Sequence, residues 1–108
     1  MTNALKKLQF VIVWEFLVLP RKRRQFEKAY APDGIWAQFF RTDKNYVRTE
    51  LLRDPQHPHR YFTIDAWHSR RAYQRFKRQN STEYDAIDKQ CETLTKSETL
   101  IGEFENLE

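Results

Sequence analysis

The stretch that most constrains this chain is residues 61–76, YFTIDAWHSRRAYQRF. Its first half is filled with aromatic and β-branched residues, which suit a pleated, half-buried strand. Its second half predicts a helix: Ser69 can cap the first turn, and Ala72, Tyr73 and Phe76 recur at helical spacing. A two-residue period places Tyr61, Thr63, Asp65 and Trp67 on one face of the strand and Phe62, Ile64 and Ala66 on the other. Both faces carry large apolar groups, so both are expected to be at least partly buried. On one of them a carboxylate, a hydroxyl and an indole leave water together, and such groups need partners. That face predicts either a polar-lined cavity or a satisfied core network.

At 108 residues the chain supports one domain with one modest core, expected to span about residues 9–105. With 40% hydrophobic and 31% charged residues, the composition is that of a folding chain rather than a disordered one. The net charge of +4 is unevenly placed. Residues 20–31 carry five Lys/Arg against one Glu, residues 69–79 carry five against none, and residues 81–108 carry two Lys against eight acids. Solvated helix faces account for such runs, although they can also steer an anionic partner or another copy of the chain. The lone Cys91 sits among apolar residues at helical spacing, which predicts a buried filler in a reducing compartment. Lys6-Lys7 followed by the apolar run from Phe10 to Leu19 has the look of a secretory leader, but Glu15 interrupts it and no small-residue cleavage site follows. A membrane span needs roughly 20 apolar residues. A buried strand and a cytoplasmic location are therefore expected, with no membrane contact.

Taken in order, the chain predicts a first strand over Gln9–Val18 with apolar residues on both sides. Pro20 suits the opening turn of a helix that keeps Phe26, Ala29 and Tyr30 on one side, and Pro32-Asp33-Gly34 ends it. Ile35–Phe40 is expected as a short helical turn against the sheet, and Tyr46–Arg53 as the second strand. Asp54-Pro55-Gln56-His57-Pro58 then forms the extended loop of a hairpin leading into the Tyr61 strand. After the helix that follows, Asn80 and Glu83 predict a reciprocal cap for another helix, striped by Tyr84, Ile87, Cys91 and Leu94. A last strand over residues 98–104 alternates Glu98, Leu100, Gly102 and Phe104 with Thr99, Ile101 and Glu103. The resulting order, βαββαβ, is that of a ferredoxin-like α+β fold with a four-stranded antiparallel sheet. Helices would cover one face of that sheet. The other face, with Val11, Val13, Phe62 and Ile64, predicts a homodimer in which a second copy covers the apolar surface.

The chain resembles the antibiotic biosynthesis monooxygenase-like domains of the dimeric α+β barrel superfamily. The resemblance rests on Asp65-Ala66-Trp67, then Ser69 and Ala72-Tyr73, with support from Tyr46, Glu83-Tyr84 and Ile101-Gly102, and it spans the chain from Phe10 to Phe104. It implies ferredoxin-like subunits packed sheet to sheet, each with a pocket between sheet and helices. Several family members oxidise phenolic, polyketide-like aromatics with dioxygen and no bound cofactor, others degrade haem, and many have no established reaction. On this resemblance Trp67 corresponds to a pocket tryptophan and Asp65 to the acidic residue before it. A histidine often present in the following helix falls at Phe76, and the strand asparagine of haem-degrading members falls at Trp14, so the resemblance does not carry histidine-dependent or haem chemistry to this chain.

As chemistry, Trp14, Trp36 and Trp67 can stack on a planar compound, and Asp65 can accept a phenolic proton so that a phenolate meets dioxygen. Asp65 and Trp67 are the candidate catalytic residues, and Trp14, Tyr30, Trp36, Tyr61 and Phe76 the candidate substrate-binding residues. Equally open is a core in which the same carboxylate and indoles are structural, giving a dimeric binding or scaffold domain without turnover. Gly34 and Gly102 are the only glycines, which removes phosphate loops and dinucleotide fingerprints, and no fixed-spacing metal set accompanies His57-Pro58-His59. No cofactor or metal is expected, and an oxygenase of this kind must draw its electrons from the substrate. An RNA-recognition domain shares the element order, with Arg60-Tyr61-Phe62-Thr63-Ile64 on its third strand position. Here the glycine-bearing core of that motif is missing and the basic residues cluster on the helices, so nucleic acid is not an expected partner.

Overall fold

Alternating large apolar residues make Gln9–Val18 a strand, β1, and it becomes the spine of the molecule. The computed structural model describes residues 9–107, so Lys6-Lys7 lies outside the described residues. Antiparallel strands flank β1 on both sides: β3 (Arg60–Trp67) on one and β4 (Thr95–Asn106) on the other, with β2 (Tyr46–Arg53) beyond β3. The strand order β2-β3-β1-β4 is that of the ferredoxin-like sheet expected from the sequence. Helices α1 (Arg23–Tyr30), α2 (Ile35–Phe40), α3 (Arg70–Gln79) and α4 (Ser81–Cys91) complete the chain, with 3₁₀ turns at Pro20–Lys22 and Glu92–Leu94. Among the described residues no helix is long and apolar enough to cross a membrane.

Aromatic rings join the helices to the inner face of the sheet. Phe16 of β1 meets Phe26 and Tyr30 of α1, while Trp67 of β3 meets Phe40, Tyr73 and Phe76 of α2 and α3, all at centroid separations of 4.9–5.5 Å. Phe26, Tyr61 and Trp67 are the largest fully buried side chains. Ser69 caps α3 as expected, its Oγ accepting from the Ala72 amide at 3.1 Å. The Asn80 cap does not form. Its side-chain nitrogen donates back to the Phe76 carbonyl at 2.9 Å, closing α3 instead of opening α4.

Two bulges depart from simple alternation. In β2, Tyr46 pairs with Trp67 and Arg48 with Ala66, leaving Val47 as an extra residue. Tyr46 and Thr49, three apart, consequently share the inner face. In β4 the register shifts between Gly102 and Leu100, which pair with Val13 and Trp14. Glu98 and Leu100 thus share the face of Phe16 and Trp14, whereas Gly102 and Phe104 turn to the outer face, contrary to an unbroken two-residue period. Phe104 folds across Gly102: a Cβ there would lie 2.6 Å from its ring.

The outer sheet face is mixed rather than bare. Val11, Val13, Phe62 and Ile64 are half-buried, Leu52 and Phe104 are exposed, and ion pairs lie across the same surface. Arg60 bridges Glu15 at 2.6 Å and sits over the Phe62 ring, while Arg48 bridges Glu50 at 2.8 Å.

Candidate active site

Between the sheet and the helices lies a cavity of about 200 Å³. Every strand and every α-helix contributes to its wall. Trp14 and Phe16 of β1, Thr63 and Asp65 of β3, Thr49 of β2 and Glu98 of β4 form the sheet side. Tyr30 comes from α1, and Trp36 and Phe40 from α2. Tyr73 and Lys77 of α3 face Tyr84 and Asp88 of α4. For comparison, an engineered apolar cavity of about 150 Å³ holds benzene, so this one accommodates a one- or two-ring aromatic. Larger ring systems would have to project through the opening.

Asp65 is the most strongly built of the candidates. Its Oδ1 accepts from Thr49 Oγ1 at 2.5 Å, and Thr49 Oγ1 lies 2.6 Å from the Tyr46 hydroxyl. A hydroxyl has one proton to give, and Thr49 gives its own to Asp65, so Tyr46 is the donor to Thr49. Tyr46 and Thr49 are both buried. Among the described residues the second oxygen of Asp65 has no protein partner, and the carboxyl lines the cavity. Burial pushes its pKa up to about 6, against the lowering effect of the Thr49 hydrogen bond. A carboxyl poised near neutrality at the wall of a cavity rich in aromatic side chains can take a proton from a weakly acidic hydroxyl.

Trp14, Tyr30 and Trp36 line the cavity together with Asp65. Trp67, Tyr61 and Phe76 are not among its lining residues. Trp67 is fully buried behind Phe40 and Tyr46, and among the described residues its indole N–H has no partner. Tyr61 points to the far end of the sheet, where its hydroxyl donates to Glu27 and accepts from Arg23 Nε at 3.3 Å. Phe76 packs between Phe39 and Trp67. Among the wall residues that sequence reasoning did not name for the site are Thr49, Lys77, Asp88 and Glu98. Thr49 was hidden by the bulge at Val47; the other three read as ordinary surface charges.

Charge at the wall is predominantly negative. Burial, and after it the nearby Asp88 and Glu92, raise the Glu98 pKa from its ordinary value. Lys77 Nζ lies over the rings of Tyr84 and Tyr73, 4.9 and 5.3 Å from their centroids. Burial raises the Tyr73 hydroxyl pKa and pushes that of Tyr84 up to about 12, so both remain protonated near neutral pH. Among the described residues no group of three or more His, Cys, Asp or Glu side chains is arranged to hold a metal ion.

The same fold is found in solved structures that include antibiotic biosynthesis monooxygenases. SnoaB, a cofactor-independent oxygenase from Streptomyces nogalater, superimposes with a TM-score of 0.73 at 24% identity, covering 93% of this chain and 94% of that one. A Bordetella bronchiseptica protein assigned as an antibiotic biosynthesis monooxygenase superimposes at 0.71 with 16% identity, over 95% of this chain and 100% of its own. One with the same assignment from Nitrosomonas europaea gives 0.70 at 15% identity, over 92% and 90%. No family model matches the sequence, and no curated relative matches it. The chain has the antibiotic biosynthesis monooxygenase-like α+β fold.

Proposed function

We propose that this protein is a cofactor-independent monooxygenase-like protein that binds a small phenolic or polyketide-like aromatic in the cavity and oxidises it with dioxygen. The observation that carries the reading is Asp65, held at the wall of an aromatic cavity with one oxygen fixed by Thr49 and the other free. Trp14, Trp36 and Tyr30 hold the ring system, and the free oxygen of Asp65 takes the hydroxyl proton. The phenolate then supplies the electrons. Overall the substrate loses two hydrogens and gains one oxygen atom, and the second oxygen leaves as water. Trp67 supports Phe40 from behind, so its part in this scheme is to shape the wall. SnoaB, a cofactor-independent oxygenase of the same fold, supports the assignment.

A homodimer belongs to the same proposal. Val11, Val13, Phe62, Ile64 and Leu52 give the outer sheet face an apolar surface that a second copy would cover, with Glu15–Arg60 pairs at its margin.

Oxygen-electrode measurements with hydroxynaphthalenes and anthrone test the reaction. Uptake by the wild type that falls at least about a hundredfold in Asp65→Asn supports it, a loss in keeping with removal of a general base. Calorimetric binding of the same compounds with no uptake would leave a ligand-binding domain without turnover.

A further inference from the structure

We infer that the cavity selects aromatic ligands that carry an ammonium group and discriminates against those that carry a carboxylate or phosphate. This rests on the reading of the cavity as an aromatic-binding site and specifies the ligand's charge. Three carboxylates, from Asp65, Asp88 and Glu98, line the wall against one ammonium, from Lys77. An anionic ligand would meet a wall that already carries net negative charge, with Asp88 and Glu98 themselves exposed to solvent. Asp88 and Glu98 reach the same space from α4 and β4, and the Asp88 carboxylate disfavours charge on Glu98. A cation between them relieves that repulsion.

The remaining wall is suited to the same ligand. Trp14, Trp36, Tyr30, Tyr73 and Tyr84 present aromatic rings, and rings of this kind attract ammonium groups through their negative faces. Lys77 is the one group that could argue for an anion, yet its Nζ lies over Tyr73 and Tyr84, and among the described residues no carboxylate is within ion-pair distance of it. The position of this ammonium shows that the two rings turn faces towards a cation. A ligand of the inferred class places its ring against Trp14 and Trp36 and its ammonium towards Asp88 and Glu98.

The test uses three probes of one shape: naphthylmethylamine as the cation, naphthylmethanol as the neutral form and naphthoate as the anion, titrated calorimetrically near neutral pH. The amine is expected to bind at least about tenfold more tightly than naphthoate, as one or two cation–π contacts and a carboxylate pair would give. In Asp88→Asn/Glu98→Gln that preference should shrink towards unity while naphthylmethanol binding is retained, which also reports that the variant is folded. Naphthoate binding as well as the amine would overturn the inference and leave the aromatic site standing. Failure of all three probes to bind would overturn the aromatic-site reading and the inference with it.

Discussion

Asp65 is held in a state that favours its proton, and this has a measurable consequence for stability. Its pKa is about 6 in the folded protein against 3.8 as an ordinary value, so the folded state binds the proton more tightly than the unfolded one. Stability therefore falls as pH rises from about 4 to about 6, and the ionised carboxylate costs up to about 3 kcal/mol above that window. Asp65→Asn is expected to raise stability by about 1–3 kcal/mol at about pH 8, an advantage that disappears near pH 4. Urea denaturation at the two pH values checks it, and a variant less stable than wild type at high pH would contradict the burial argument. Thr49→Val removes the donor to the carboxylate and should raise the Asp65 pKa further, seen as a shift of its carboxyl NMR titration to higher pH. Trp67 behaves differently, because it touches packing and not the cavity. Trp67→Ala is expected to cost about 3–5 kcal/mol in chemical denaturation, so a loss of binding in that variant reports a damaged core.

At the scale of elements, the join between α1 and α2 depends on Gly34. A Cβ there would lie 2.4 Å from the Ala29 carbonyl oxygen and 2.5 Å from that of Lys28, and both contacts are backbone. Gly34→Ala should therefore destabilise by about 1–3 kcal/mol and, by displacing α2, disturb Trp36 and Phe40 at the cavity. Thermal unfolding and naphthalene binding measured together check this. Element order and several bounds were legible in the sequence: alternation and turn residues located β1 and β2 at their observed ends, and Ser69 marked the start of α3. Legibility failed where one residue broke the period. Nothing in Tyr46-Val47-Arg48-Thr49 announces a bulge, so a two-residue period would separate Tyr46 from Thr49, and the relay to Asp65 was invisible. The same holds for β4, where the bulge at Ile101 separates Glu98 from Phe104. Trp67 was misleading for another reason: an indole on the same strand face as a cavity residue can belong to the layer behind it.

For the molecule as a whole, opposite charges gather on different elements, the bases on α1 and α3 and the acids on α4 and β4, with Arg70 reaching Glu103 at 3.3 Å. The outer sheet face keeps both signs close together over its apolar residues, which suits contact with an identical face. Sedimentation is expected to show a dimer, and Leu52→Glu, an exposed apolar residue on the outer face of β2, to shift it to monomer without unfolding it. Since all strands and α-helices lend a side chain to the central hollow, occupancy has no single hinge or flap through which to act. A bound aromatic at about a hundred times its dissociation constant adds about 2.7 kcal/mol to global stability. Amide exchange should then slow evenly at the deepest protected positions of every element, and melting itself becomes a screen for small molecules that occupy the hollow.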